Sequence, residues 1–189
     1  MSKKGKFILS VDDGCVFDLR VAEIAKKYGL EVIFYWPVEW RSLAYDKGYE
    51  PLNYLEAKEI AKDFEIGGHT VTHQHLTSMN EIDAHLEIKE CKEMLERLFD
   101  TTVTKFCPPR GYTNEWLTKV TMDYFDSQRL TKGPGLVHVH PNSGANNNMP
   151  WREYAATIDV EELWGHSWEF DKFNLWDELE EYIKENLHG

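Results

Sequence analysis

Reactive side chains follow four of the short apolar runs in this sequence. They are Asp12 and Asp13, His69 and His73, Arg110 within a Pro-Pro-Arg-Gly turn, and His166. Taken singly, each has a structural explanation, since Asp and Gly are ordinary turn formers and pairs of histidines four residues apart are common. Their joint occurrence indicates chemistry, because functional residues of parallel α/β folds gather at the carboxyl ends of the strands.

The two histidines are spaced for sharing one metal ion. Residues four apart in a helical turn lie on one face, so His69 and His73 could present both imidazoles to one cation. Two imidazoles and one carboxylate, with further positions open to water, are the composition of a catalytic zinc site, where the ion acidifies water and polarises a carbonyl. The neighbouring Asp12 and Asp13 could divide two tasks, one binding the metal and the other taking a proton from water.

The elements that must position these side chains alternate between short β-rich runs and amphipathic helical runs. This alternation is typical of a mainly parallel sheet with helices packed outside it. We predict strands at residues 7–11, 31–36, 65–68, 103–107, 125–130, 136–140 and 162–168, helices at 19–28, 55–64, 81–99, 114–124 and 175–187, and a surface loop at 141–150. Six or seven such units fit either a closed barrel or an open doubly wound sheet.

Composition limits the function classes. A chain of 189 residues that is 42% apolar can close one substantial core, so we expect a single domain. A net charge of -12 argues against nucleic acid as a partner. The sequence shows no export signal, no apolar run of membrane-spanning length and, with three cysteines, no CxxC pair. We therefore expect a soluble, cytoplasmic protein without a membrane partner.

Three segments resemble the ordered motifs of a known family. They are Ser10-Val-Asp-Asp-Gly14, His69-Thr-Val-Thr-His73 and Phe106-Cys-Pro-Pro-Arg-Gly111. They resemble the ordered motifs of the polysaccharide deacetylases, which are carbohydrate esterase family 4 with NodB homology, and the first two match in residue type, order and separation. The resemblance implies a TIM-like, distorted (β/α)7 barrel, with residues 1–189 forming one catalytic domain.

The resemblance also implies an activity and a metal. The expected reaction is hydrolysis of an N-acetyl group on an amino sugar or oligosaccharide, so the expected partner is an N-acetylated saccharide. Asp13, His69 and His73 would hold a divalent metal, which we expect to be Zn²⁺, with Co²⁺, Mn²⁺ and Ni²⁺ as alternatives. The sequence does not predict an oligomeric state.

The acid–base roles follow from the same resemblance. Asp12 would be the general base, and His166, in a late Leu-x-x-His motif, would be the general acid. The backbone N–H of Arg110 would stabilise the oxyanion. One departure concerns the base, because Cys107 stands where the family usually has an arginine that orients it, and the sequence contains no clear Asp-and-Trp motif to hold such an arginine.

Three arginines are candidates for replacing that missing side chain from another direction: Arg110, Arg129 and Arg152. The test is whether a guanidinium lies within hydrogen-bonding reach of Asp12. If none does, Asp12 has a weaker claim to be the base.

Other interpretations stay open at this point. Cys15 or Cys107 could act as a nucleophile with a histidine, although buried thiols are more often inert. His138 and His140 alternate on one strand face and could bind a metal or a substrate. The chain could also be a non-sugar amidase that opens a ureide or cyclic imide, or a saccharide-binding protein that has lost turnover.

Overall fold

Seven parallel strands form one sheet in the computed structural model of the protein, which describes residues 7–143 and 148–187. The strands are β1 (Ile8–Asp12), β2 (Val32–Trp36), β3 (Glu65–Gly68), β4 (Lys105–Phe106), β5 (Ser127–Gln128), β6 (Leu136–His138) and β7 (Glu162–His166). Their spatial order is β5-β4-β3-β2-β1-β7-β6. The sheet curls into a half-barrel, which confirms the predicted distorted α/β barrel.

Helices surround this sheet. They are α1 (Asp18–Tyr28), α2 (Trp40–Lys47), α3 (Tyr54–Asp63), α4 (Glu81–Phe99), α5 (Glu115–Tyr124), α6 (Trp151–Ala155), α7 (Ser167–Lys172) and α8 (Trp176–Leu187). α1 ends at Gly29, which adopts a left-handed φ of 65° and donates its N–H to Ala25. α3 begins with a capping box between Asn53 and Glu56. Within the described ranges, no helix has both the length and the apolar character that crossing a membrane requires.

The two faces of the sheet bury different side chains. β2 is buried along its whole length, as expected for a parallel strand covered on both faces. Phe34 and Trp36 belong to the main apolar core that includes the surrounding helices. Ile33 and Tyr35 point to the other side, where they form a small cluster with Cys107 inside the curl. The inside of the barrel therefore has little apolar packing and leaves room for polar groups.

Most predicted elements are found within a few residues of their expected positions, and the largest differences are the short strands β4 and β5 and the early end of β7. β4 and β5 contain only two residues each. The last strand was predicted to reach residue 168, but β7 ends at His166 and α7 starts at once. Two tertiary contacts favour this turn: Ser167 donates a hydrogen bond to Asp18, and Trp168 stacks on Tyr49. α2, α6 and α7 were not predicted, and residues 144–147 of the predicted surface loop lie outside the described residues.

Candidate metal and acid–base site

Asp13, His69 and His73 meet at one end of the barrel. The Oδ1 atom of Asp13 lies 3.2 Å from Nε2 of His73 and 3.6 Å from Nε2 of His69. This oxygen is buried and makes no hydrogen bond of acceptable geometry within the described residues. A buried carboxylate oxygen that faces two imidazole nitrogens and lacks a hydrogen bond fits a divalent cation, because the cation would satisfy all three atoms at once.

The segment that carries the two histidines is an irregular loop, so the predicted helical spacing is wrong. Thr70 and His73 both adopt left-handed backbone conformations, with φ values of 68° and 61°. Glu87 on α4 fixes the loop by accepting hydrogen bonds from the backbone N–H groups of Val71 and Thr72, both at 2.9 Å. Tertiary anchoring of the loop, and not helical periodicity, brings the two rings together with their centroids 4.9 Å apart.

Hydrogen bonding and burial favour the protonation states that metal ligands need. His69 donates its Nδ1–H to the carbonyl oxygen of Cys107 at 2.6 Å, which leaves the Nε2 lone pair facing Asp13. Burial lowers the pKa of His73, so its ring is neutral at pH 7. Burial alone would raise the pKa of Asp13, but the neighbouring His166, the two imidazoles and Lys47 hold it well below the usual range.

Arg129 is the guanidinium that reaches Asp12. It forms a buried ion pair with Oδ1 of Asp12. Its planar group lies between the rings of Tyr35 and Trp164, at 5.0 and 4.9 Å from their centroids, and its Nε atom lies 3.6 Å from Glu162. Arg129 follows the edge strand β5, yet its side chain contacts residues of β1 and β7. It reaches these strands because the sheet curls. An acidic residue and a tryptophan on β7 thus hold the arginine, although the sequence showed no motif for this.

The other two candidate arginines do not contact Asp12. Arg152 binds Glu181 and Glu185 on the surface, at 2.6 Å each, and Arg110 is an exposed residue at the mouth of the cavity. Of the three arginines, Arg129 alone forms an ion pair with Asp12 among the parts of the chain that the structure describes.

The cysteines near the site have properties of inert buried thiols. The Sγ atom of Cys107 lies 3.9 Å from Oδ2 of Asp12, and burial raises the pKa of this thiol well above its usual value. Burial also raises the pKa of Cys15 to about 12. Both groups are therefore protonated at neutral pH, which argues against a cysteine nucleophile.

His166 connects the Asp13 cluster to a second group of polar side chains. Its Nε2 atom lies 3.7 Å from Oδ2 of Asp13, and its Nδ1–H donates to Oε2 of Glu169 at 2.7 Å. Burial opposes protonation of the ring, but the carboxylates of Asp13 and Glu169 raise the pKa of His166. His138 donates its Nε2–H to the same oxygen of Glu169 at 3.1 Å. The arrangement orients Nε2 of His166 towards Asp13 and favours the protonated ring.

Sequence reasoning missed Lys47 and Glu169. Lys47, at the end of the unpredicted helix α2, donates a hydrogen bond to Oδ2 of Asp13 at 2.6 Å. Glu169 lies three residues after His166, a spacing that would have indicated a contact if α7 had been predicted. For Lys47 the sequence carries no comparable signal, since its partner lies 34 residues away.

A cavity of about 710 Å³ opens over these groups. Asp12, His69, His73, His166 and Arg110 all contribute to its wall. Its volume falls in the range of small-molecule sites. Arg110 stands in the short turn Pro109–Gly111 with a left-handed φ of 62°, at the edge of this space.

Comparison with known proteins identifies the class to which this fold and site belong. A sequence profile described as polysaccharide deacetylase matches residues 2–124. The chain therefore belongs to the polysaccharide deacetylase family. A search of curated proteins gave no significant match.

Solved structures with a similar fold include three informative examples. A peptidoglycan N-acetylglucosamine deacetylase has a TM-score of 0.70 at 19% identity, covering 95% of this chain and 81% of that one. A family 4 carbohydrate esterase from Streptomyces lividans, in complex with acetate, has a TM-score of 0.70 at 14% identity, covering 98% and 91%. A family 4 pseudoenzyme from Bacillus anthracis has a TM-score of 0.70 at 17% identity, covering 95% and 61%. The chain thus spans about three fifths of the pseudoenzyme's length.

Proposed function

We propose that this protein is a metal-dependent hydrolase that removes an N-acetyl group from an amino sugar or oligosaccharide. The observation that carries the proposal is the buried Oδ1 atom of Asp13, which faces two imidazole nitrogens without a hydrogen bond. Membership of a deacetylase family supports the same reaction. Asp13, His69 and His73 would hold the metal, for which Zn²⁺ is the first candidate and Co²⁺, Mn²⁺ and Ni²⁺ are the alternatives.

The roles of the remaining residues follow from their contacts. A bound cation would lower the pKa of water and polarise the acyl carbonyl. Asp12 accepts the proton of the attacking water, and its ion pair with Arg129 orients it for that step. The backbone N–H of Arg110 donates a hydrogen bond to the developing oxyanion.

His166 acts as the general acid in this proposal. Because Nδ1–H is bound to Glu169, the proton for the leaving amine comes from Nε2, on the side of Asp13. The carbon–nitrogen bond of the amide breaks, the hydroxyl of water ends on the acetyl carbon, and the products are acetate and a free amine. The raised pKa of His166 supports this role, since the acid must be protonated before the amine leaves.

Similarity to a pseudoenzyme makes loss of turnover the second candidate function. In that case the protein would bind a saccharide and a metal without hydrolysis. The Asp12–Arg129 ion pair and the His166–Glu169 hydrogen bond argue against it, because both would orient acid–base groups that a binding protein does not need. A ureide or cyclic imide amidase is the third candidate, and acetate release distinguishes it from a deacetylase.

The direct test is acetate release from a panel of N-acetylated sugars by the purified protein, with and without a chelator. We expect complete dependence on the metal. We also expect rate losses of about 10² to 10⁴ for Asp12→Asn and for His166→Ala. Asp123→Asn and His85→Ala, which change the same residue types away from the cavity, serve as matched controls. Full activity after complete metal removal, or in both site variants, would refute this mechanism. A cytoplasmic location stays a prediction from the sequence.

A further inference from the structure

The wall of the cavity has a different charge balance from the rest of the chain. The whole protein has a net charge of -12. Lys47, Arg110 and Lys132 nevertheless all line the cavity, and Asp12 is the single carboxylate among its described lining residues. The described wall of the candidate active site in this acidic protein thus carries three cationic side chains and one carboxylate.

Two of these cations have no acidic partner within the described residues. The charge of Asp12 is balanced by Arg129, and Lys47 is engaged with Asp13. For Arg110 and Lys132, by contrast, no carboxylate lies within ion-pair distance in residues 7–143 and 148–187. Both residues are exposed at the cavity, so each has a positive group available to a ligand.

Backbone packing brings these two cations to the same rim. β4 and β5 are neighbours, and the segments that follow them carry Arg110 and Lys132. Gly111 lies so close to the second segment that a Cβ atom on it would be 2.3 Å from Oγ1 of Thr131 and 2.8 Å from its backbone nitrogen. Arg110 also adopts a left-handed backbone conformation, which is unfavourable for a residue other than glycine. The close packing of these two segments therefore fixes the backbone positions from which Arg110 and Lys132 extend.

A guanidinium and an ammonium group on one rim form a receptor for a phosphate or carboxylate. We propose that the substrate carries such an anionic group, which Arg110 and Lys132 bind while the acyl amide lies beside Asp12 and Asp13. This inference rests on the proposed deacetylation and names its substrate class: an N-acylated amino sugar, or a short saccharide, with a phosphate or carboxylate substituent.

The test compares sugars that share the N-acetylglucosamine core and differ in whether they carry an anionic substituent, using the metal-loaded protein. N-acetylglucosamine, N-acetylglucosamine 6-phosphate and N-acetylmuramic acid supply a neutral, a phosphorylated and a carboxylated sugar. We expect kcat/KM for one anionic sugar to exceed that for the neutral sugar by about tenfold or more, and the ratio to fall with added salt. Lys132→Gln should lower this ratio about tenfold, whereas Lys119→Gln, an exposed lysine on α5, should leave it unchanged.

Equal kcat/KM for neutral and anionic sugars, or a ratio that Lys132→Gln does not alter, would overturn the proposed substrate class while leaving deacetylation intact. If no sugar is hydrolysed, calorimetry with glucosamine 6-phosphate and glucosamine separates the two proposals. If the protein binds glucosamine 6-phosphate more tightly than glucosamine, and Lys132→Gln weakens that binding, the anion site is retained and deacetylation of these monosaccharides is rejected. Equal binding of both amines would reject the anion site as well.

Discussion

Two clusters of histidine and carboxylate share the cavity and differ in how their carboxylate oxygens are used. In the first, Oδ1 of Asp13 faces two imidazoles and lacks a hydrogen bond among the described residues. In the second, Oε2 of Glu169 accepts hydrogen bonds from both His138 and His166. Both have three potential ligand atoms within 4.8 Å of one another. Geometry alone therefore does not distinguish a metal site from a hydrogen-bonded network.

The two clusters differ in whether the carboxylate oxygen that faces the histidines accepts hydrogen bonds. Burial would raise the pKa of Glu169, but the hydrogen bonds from His138 and His166 hold it well below its usual range, so the cluster satisfies itself as an anion with two N–H donors. A cation there would have to displace both protons. In the Asp13 cluster, Oδ1 accepts no hydrogen bond from either imidazole or from any other described residue. A cation would satisfy this oxygen and both imidazole nitrogens. We therefore propose that a metal would bind at Asp13 and that Glu169 has a positioning role.

The largest expected effect comes from removing a ligand of the Asp13 cluster. His73→Ala should lower metal affinity by more than about a hundredfold and reduce activity to background. Loss of a residue that binds the metal directly should cost at least as much affinity as loss of a residue that only supports a ligand. His138→Ala removes the same imidazole from the other cluster and should leave one metal bound per chain. Metal content and chelator competition measure both. Equal loss of metal in the two variants would contradict the assignment.

Glu169→Gln should have the next largest effect, on rate and not on metal binding. Without its carboxylate, His166 is less well oriented, so kcat should fall by about one to two powers of ten. The raised pKa of His166 means that activity is present below this pKa and is lost as pH rises through it. Removing Glu169 lowers that pKa, so the alkaline limb of the kcat profile should move to lower pH. Glu161→Gln, an exposed neighbour, is the control, and an unmoved limb would argue against the positioning role.

Lys47→Met should change metal affinity in the opposite direction. The ammonium group competes with a cation for Asp13 and repels it, but the lysine side chain is one third exposed, so solvent weakens the effect. We expect affinity to rise up to about fivefold, measured by chelator competition, with Lys119→Met as the control. A decrease would mean that Lys47 supports the metal-binding conformation of Asp13.

The smallest effect is expected for His138→Gln. Glutamine retains an N–H donor for Glu169, and His166 keeps its own hydrogen bond, so kcat should change by about twofold and the alkaline limb should stay in place. A loss of activity as large as that of Glu169→Gln would show that His138 takes part in the reaction directly. Steady-state kinetics across pH with one substrate measures both quantities.

The predictions from sequence succeeded where the signal was local. The alternation of strands and helices gave the class of fold, since period-2 and period-3.6 patterns reflect which face of an element is buried. β3 and α4 match their predicted bounds, and α4 has a continuous apolar face and a capping residue, Asn80, at its start. The predicted helical turn for His69 and His73 was wrong, because backbone N–H groups of that loop donate hydrogen bonds to Glu87 on the distant helix α4, which fixes the loop in an irregular conformation.

The sequence by itself determined which reactive residue follows each strand, because this information lies in short motifs of neighbouring residues. Only the tertiary structure decided their partners: Arg129 for Asp12, Glu169 for His166 and Lys47 for Asp13. The first of these pairs spans 117 residues, and it forms because a curled sheet brings an edge strand against the far side of the barrel. Such curvature arises from the packing of all seven strands together, and no short segment of sequence encodes it.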